Sequence, residues 1–204
     1  MTQTATQQQA KGSTLRSTLA FVRATAGEDA VERVLARVPA DDRARVQAAS
    51  QTEEVPLELL LALWHGVQEE IGAEHPDWPE RSGAFSIGNA GVEHYRGILL
   101  KKSPAEFLLQ RVSLFRLFYQ PGNMEVVEEE PGRAVLRLVG FDPTERTFCR
   151  RQTGGLLRSI ELAGGAAPAV RHVRCSLEGD AFCEWELRWQ LPAEAHTPGP
   201  HPAG

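Results

Sequence analysis

The chain has 204 residues, enough for one well-buried domain or two very small ones. Apolar residues make up 42% of it, which is typical of a globular protein. The net charge of -5 argues against nucleic acid as the main partner. No stretch approaches the roughly 18 consecutive apolar residues of a membrane span, and the N-terminus has no apolar core of a secretory leader. With only three cysteines, the sequence predicts a soluble cytoplasmic protein.

The N-terminal half is predicted to be helical. Residues 1–11 are polar and glutamine-rich, so we expect them to be disordered. Apolar periodicity and capping signals predict helices over 12–26, 28–38, 41–49 and 56–71. Residues 72–83 are predicted to form a loop, because Pro76 and Pro79 interrupt them. Two further helices are expected over about 86–102 and 104–119.

The C-terminal half is predicted to be mixed. Strands are expected over 124–129 and 133–140, followed by a helix over about 143–162 and a second hairpin. This order predicts an α+β fold, with N-terminal helices packed on a four-stranded antiparallel sheet. We therefore expect a single domain over 12–190, and a disordered proline-rich tail over 191–204.

The second hairpin contains two of the three cysteines. Residues 172–185 alternate as two strands, and Glu178-Gly179-Asp180 is predicted to form a three-residue turn. In that register Cys175 and Cys183 face each other, about 5 Å apart at Cβ. The alternation predicts that both thiols lie on the core side of the sheet.

The third cysteine, Cys149, lies near the start of the preceding helix and could pack over the same sheet face. Three thiols and His172 would form a Cys₃His set, which is a common structural zinc shell. Simple alternation places His172 on the opposite strand face from Cys175, so a β-bulge between them is needed for all four residues to meet. Two alternatives stay open, namely inert core cysteines and a disulfide between Cys175 and Cys183.

The C-terminal half, over about 104–190, resembles the four-vinyl reductase domain, a small-molecule-binding module. The residues that carry this resemblance are His172, Cys175, Gly179 and Cys183. The spacing of Cys149 is similar to that of a further zinc-binding cysteine in aromatic-sensing members. His172 stands where the family has an acidic ligand, and histidine binds zinc as well. The resemblance implies a zinc site and a pocket for a small hydrophobic ligand.

The N-terminal half is similar to a different group of proteins. The matching segments are 11–15, 21–23, 27–29 and 34–39. They resemble a myxobacterial paralogous family of unassigned function and the start of haem nitric-oxide-binding domains. These families share one fold superfamily with the TRAPP vesicle-tethering subunits. The resemblance implies the TRAPP-like, nitric-oxide-signalling ligand-binding fold, and a homodimer formed through helices.

Haem is a rival to zinc as the cofactor. His65 and His94 lie in predicted helical regions, and either could be an axial ligand. The simpler interpretation makes both of them surface residues, because His65 flanks an apolar stripe and His94 has charged neighbours. The tyrosine–serine–arginine motif that holds the haem propionates in the haem family is not found. Zinc is therefore the first expectation.

A ligand pocket is predicted from apolar aromatic residues. The candidates for its lining are Phe107, Phe115, Phe148 and Trp185. The sequence has no nucleophile elbow, phosphate loop or dinucleotide fingerprint, so no enzyme is expected. We expect a non-enzymatic small-molecule sensor or adaptor that acts on an unknown signalling partner. The alternatives are a dimeric TRAPP-like interaction module without a ligand, and a haem-based gas sensor.

Overall fold

The protein is described by a computed structural model covering residues 7–90, 103, 104, 106 and 115–191. The helices of this part are α1 Gly12–Ala26, α2 Glu28–Arg37, α3 Ala40–Ala48, α4 Leu57–Ile71, α5 Trp78–Phe85 and α6 Arg146–Leu162. The strands are β1 Gln9–Lys11, β2 Glu54–Pro56, β3 Tyr119–Gln120, β4 Asn123–Glu130, β5 Arg133–Val139, β6 Ala166–Arg174 and β7 Glu184–Gln190. The predicted α+β class is confirmed. No helix among the described residues has the length and apolar character to span a bilayer.

The N-terminal helices form where the apolar periodicity predicts them. Gly27, with φ of 87°, ends α1 and directly precedes α2. A φ in this range favours glycine, because it has no Cβ. Glu28 and Asp29 then occupy the first turn of α2, where the helix dipole favours negative charge. Helices α1 and α2 pack against each other and against α4, so their apolar residues form the N-terminal part of one core.

The predicted loop 72–83 is wrong in its second half, because α5 begins at Trp78. Pro79 lies in the first turn of α5, where its missing N–H breaks no helical hydrogen bond. Trp78 is fully buried, and its indole N–H donates to Gln68 Oε1 at 2.8 Å. A π-helical segment, Ser86–Ala90, continues from α5. The predicted helices 86–102 and 104–119 otherwise lie mostly outside the described residues.

A small three-stranded sheet was not predicted. Its order is β2-β1-β3, and the central strand β1 comes from the segment 1–11 that was expected to be disordered. Ala10 is 1% exposed and pairs with Val55 on one side and Tyr119 on the other. The expectation of disorder is therefore wrong for Gln9–Lys11, since backbone pairing on both sides fixes a segment that has little apolar side-chain surface.

The main sheet confirms the predicted four antiparallel strands, in the order β4-β5-β7-β6. Leu136 pairs with Trp185, and both are buried in the core that also includes α6. On the other face, Arg133 and Arg137 form ion pairs with Glu186 and Glu184. The sheet therefore has one apolar face, covered by a helix, and one charged face.

Helices α5 and α6 are in direct backbone contact. A Cβ atom added at Gly83 would lie 2.0 Å from the carbonyl oxygen of Arg151, and one added at Gly154 would lie 1.9 Å from that of Glu80. Only glycine permits such an approach. This contact fixes the N-terminal half of α6 between α5 and the main sheet.

The cysteine hairpin has a longer connection than the predicted three-residue turn. Strand β6 ends at Arg174 and β7 begins at Glu184, so residues 175–183 connect them. A 3-10 turn, Ser176–Glu178, begins this connection, and Gly179 follows it with φ of 99°. The backbone N–H of Cys175 donates to Asp180 Oδ2 at 2.8 Å, which satisfies a polar group within the loop.

Candidate functional site

A β-bulge occurs in β6 at the position where the zinc prediction requires one. His172 pairs with Trp185 and Arg174 pairs with Glu184, so Val173 is an extra residue in the ladder. Val173 is 43% exposed, whereas the ring of His172 stacks on the buried ring of Trp185 with centroids 4.5 Å apart. The bulge therefore brings His172 to the core face of the sheet, on the same side as the cysteines.

The structure brings together all four predicted metal ligands. The Sγ atoms of Cys149, Cys175 and Cys183 and a ring nitrogen of His172 all lie within 4.8 Å of one another. The cysteines are buried and not joined in a disulfide. The Sγ atoms of Cys149 and Cys183 are 3.9 Å apart. A tetrahedral zinc ion with Zn–S bonds of about 2.3 Å places its sulfur ligands about 3.8 Å apart.

The polar groups around Cys183 favour its thiolate form. The backbone N–H of Ser176 donates to Cys183 Sγ at 3.4 Å, and the Ser176 hydroxyl lies at the same distance. A hydrogen bond from Cys149 is the main reason that the pKa of Cys183 falls to about 3. The same interaction raises the pKa of Cys149, and burial raises that of Cys175.

The imidazole of His172 has an unused buried nitrogen. Its Nε2 atom is buried and has no hydrogen-bond partner among the described residues. A buried polar atom without a partner is costly in a folded protein. Three sulfur atoms and one imidazole form a closed set of four ligands, which fits Zn²⁺ in a structural site.

The other histidine candidates do not contribute to this cluster. His65 is exposed on α4, and its Nε2 lies 2.6 Å from Glu145 Oε2. His94 lies outside the described residues.

Of the four aromatic candidates for a pocket, Phe115 and Phe148 pack edge to face, with ring centroids 6.4 Å apart. Phe107 lies outside the described residues. Phe148 stacks on Phe141 in the core, with ring centroids 4.8 Å apart. Trp185 lies beside the metal cluster, and its indole N–H donates to Thr153 at 2.9 Å. Phe115 is the candidate that lines an apolar cavity.

Two small cavities adjoin each other between α1, the π-helical segment, β5 and α6. The apolar cavity, of about 60 Å³, includes Phe115, Met124, Leu136 and Leu156 in its lining. The polar cavity, of about 50 Å³, includes Thr14, Gly83, Ser86 and Arg151. Both are also lined by Ile87, Phe118, Tyr119, Gln152 and Gly155. The shared lining shows that the two cavities are neighbours.

Arg151 is a functional candidate that was not found in the sequence. It is 3% exposed, and its guanidinium donates to the hydroxyls of Ser82 and Ser86, the latter at 3.2 Å. The guanidinium carbon also lies 4.8 Å from the ring centroid of Trp64, a cation–π contact. The sequence signal was its position three residues after Phe148, on the buried side of α6.

The comparisons with known proteins concern the fold. No family matches the chain by sequence, and no curated protein does. The H-NOX (haem nitric-oxide-binding) protein from S. oneidensis in the Fe(II)NO ligation state has a TM-score of 0.69 at 14% identity, over 89% of this chain and 99% of that chain. The Fe(II) unliganded H-NOX protein from K. algicida has a TM-score of 0.67 at 12% identity, over 89% of this chain and 97% of that chain.

A third similar structure comes from work on modulating heme redox potential through protein-induced porphyrin distortion. Its TM-score is 0.66 at 14% identity, over 90% of this chain and 96% of that chain. At these identities the likeness shows the fold alone. The expected haem nitric-oxide-binding fold is thereby confirmed, whereas the comparisons do not support the four-vinyl reductase resemblance.

Proposed function

We propose that this chain is a small-molecule sensor domain with the H-NOX fold, in which a zinc ion joins the cysteine hairpin to α6. The observation that carries the zinc site is the convergence of four ligand atoms within 4.8 Å. These atoms come from a helix, a strand and a loop. One bound ion would hold together ligands that lie this far apart in the chain.

The proposed zinc has a structural role. A site with four protein ligands leaves no open position for a substrate or water, which is typical of structural rather than catalytic zinc. In the described part of the chain, α6 and the hairpin loop are also joined by the ion pair of Arg146 with Glu178, at 2.8 Å, and both side chains are largely exposed. Exposed ion pairs contribute little to stability, so zinc would be the main clamp between these elements.

Metal analysis tests the zinc site. We expect native mass spectrometry of protein purified under reducing conditions to show one zinc ion per chain. Acid should release this zinc, after which the three thiols are no longer protected. Thiol titration before and after metal removal provides the matched measurement. Protein that contains no metal and three freely reactive thiols would show that the cysteines are ordinary core residues.

A haem-based gas sensor is the second candidate, and the comparisons favour it. The similar structures include an Fe(II)NO complex and a protein studied for its heme redox potential. The geometry of the described residues favours the zinc-braced domain instead. Their histidines line neither the two small cavities nor two more open pockets of about 360 and 420 Å³. No axial histidine for a haem is therefore found in these four pockets, and His94 lies outside the described residues.

Absorption spectroscopy separates the two candidates. The zinc-braced sensor predicts that purified protein incubated with hemin shows no stoichiometric Soret band after gel filtration. A Soret band that is lost in His94→Ala and retained in His65→Ala would establish the haem sensor. His65→Ala is the matched control, because this exposed side chain lies on the surface of α4.

Three further parts of the proposal concern the whole protein, namely a non-enzymatic role, a cytoplasmic location and a signalling partner. A homodimer also stays a prediction. The apolar side chains that α1 would offer to a partner include Leu15, Phe21 and Val22, and all three are buried within the chain itself. A dimer would therefore need another surface, and sedimentation velocity at micromolar concentration would detect it.

A further inference from the structure

The buried guanidinium of Arg151 has no charged partner in the described part of the chain. No carboxylate there lies within 4.0 Å of it, and the nearby Glu80 forms an ion pair with Arg150 instead. Burial lowers the pKa of Arg151, but an arginine side chain keeps its proton in proteins. Burial also raises the pKa of Tyr119, so its hydroxyl is neutral and supplies no negative charge. The polar cavity is therefore positively charged.

Two buried polar atoms of the cavity lining have no partner. Among the described residues, Arg151 Nε and Thr14 Oγ1 make no hydrogen bond, although each residue is 3% exposed. Thr14 lies in the first turn of α1, which contains no acidic residue. The dipole of a helix favours negative charge at its N-terminus. The N–H groups of Gly12 and Ser13 already donate to the carbonyls of Glu53 and Gln51, at 2.8 and 2.9 Å, so only the dipole acts here. The charge of Arg151 and the two unused atoms therefore indicate an anion.

The neighbouring apolar cavity indicates which chemical group is attached to the anion. It is lined by apolar side chains, including Phe115 and Leu156, and it shares Tyr119 and Gly155 with the polar cavity. Each cavity holds about one or two groups the size of a water molecule. An inorganic anion would fill the polar half and leave the apolar half empty. A carboxylate with a short alkyl chain would fill both.

We propose that the two adjoining cavities bind a short-chain monocarboxylate, whose carboxylate pairs with Arg151 and whose alkyl chain occupies the apolar cavity. A guanidinium and a carboxylate form paired, charge-assisted hydrogen bonds. This inference names the ligand class of the proposed sensor and rests on that function. It does not depend on the zinc site.

Isothermal titration calorimetry with sodium butyrate tests the proposal. Sodium chloride at the same ionic strength and butan-1-ol are the comparison ligands, since one lacks the alkyl chain and the other lacks the charge. We expect saturable binding of butyrate and none of the two comparison ligands. Arg151→Met should weaken butyrate binding about tenfold or more. Arg158→Met is the matched control, because Arg158 is a half-exposed arginine on the same helix that pairs with Glu161.

A second variant tests the cavity without removing the charge. A Cβ atom at Gly155 would lie 3.6 Å from Ile87 Cγ1, an ordinary van der Waals contact, so Gly155→Ala should fold. Alanine also has a higher helix propensity than glycine. The added methyl group takes space in both cavities, so we expect a raised melting temperature and weaker butyrate binding.

Three outcomes would overturn the proposal, namely no binding of butyrate, equal binding of butyrate and chloride, or unchanged binding in Arg151→Met. The metal content of the same samples separates this failure from that of the proposed function. If the protein contains zinc but does not bind butyrate, the proposed ligand is wrong and the zinc site is unaffected. If the protein contains no zinc and does not bind butyrate, the zinc site and the proposed ligand are both wrong.

Discussion

At the scale of single residues, Cys183 is the ligand on which the metal cluster depends most. Its Sγ is the one that accepts hydrogen bonds from the Ser176 backbone and approaches Cys149 at 3.9 Å. We expect Cys183→Ser to lose zinc and to destabilise the fold by more than about 1 kcal/mol. His172→Ala should weaken zinc binding less, because three thiolates remain. Metal content and thermal unfolding of each variant measure this, with His65→Ala as the control. Equal zinc content in Cys183→Ser and the wild type would contradict it.

A second residue-scale prediction concerns Glu186 on the charged face of the sheet. Hydrogen bonds from Arg188 and Arg133 lower the pKa of Glu186 from its ordinary 4.5 to about 2. Because the folded-state pKa is the lower one, the interaction stabilises the protein above pH 4.5 and is lost as the pH falls towards 2. We expect Glu186→Gln to cost about 1 kcal/mol at neutral pH, a figure discounted for solvent screening.

The test is urea unfolding of Glu186→Gln and wild type between pH 7 and pH 3. The difference in unfolding free energy should shrink as the pH falls. Glu129→Gln is the control, because Glu129 makes no ion pair with a described residue and is exposed. A difference that is constant over this range would mean that the glutamine change acts through packing.

The sequence could predict the cysteines of the site but not the whole site. The predicted hairpin register brought Cys175 and Cys183 together, and Cys149 was added from its place near the start of the preceding helix and from the family resemblance. The position of His172 depended on a bulge, which adds one residue to a strand and leaves no local signature in an alternating pattern. Arg151 was missed because a charged residue in a helix is ordinarily exposed, and only tertiary packing shows that this one is buried.

At the scale of secondary-structure elements, the N-terminal strand carries a testable consequence. Strand β1 is paired on both sides, and the backbone N–H of Lys11 also donates to the Phe118 carbonyl at 2.8 Å. We expect deletion of residues 1–11 to destabilise the fold by about 2 kcal/mol or more, from lost hydrogen bonds and the exposed neighbours of Ala10. Differential scanning calorimetry measures the change. Deletion of 192–204, outside the described residues, is the comparison and should leave the melting temperature almost unchanged.

The long elements were predictable and the short ones were not. Helices α1, α2 and α4 and strands β4 and β5 have apolar periods that local physics alone determines. Strand β1, in contrast, has only three residues and is flanked by polar ones. Its order depends on pairing with strands about 45 and 110 positions away in the chain. Helix α5 was not predicted because Pro76 and Pro79 indicated a loop, although proline is well suited to a first helical turn.

At the scale of the whole molecule, zinc should hold one region rather than the entire fold. The clamp joins α6 to the loop 175–183, while α1, α2 and α4 pack in a separate part of the core. We expect a chelator under reducing conditions to speed amide hydrogen exchange in the loop and in adjacent β6 and β7. Exchange in α1 should change little. Uniform acceleration across the chain would mean that the metal stabilises the protein globally.

Helix α6 carries Cys149 and Arg151 on nearly opposite sides, since two positions turn a helix by about 200°. Its backbone contact with α5 at Gly83 and Gly154 leaves it little freedom to shift at one site without shifting at the other. If the binding of zinc and the binding of a carboxylate are coupled through α6, the coupling free energy must be the same in either direction. Butyrate affinity should then differ between zinc-loaded and zinc-free protein by the same factor as zinc affinity differs with and without butyrate. A single rigid helix would thus convert the occupancy of a small cavity into a change in how tightly the metal is held.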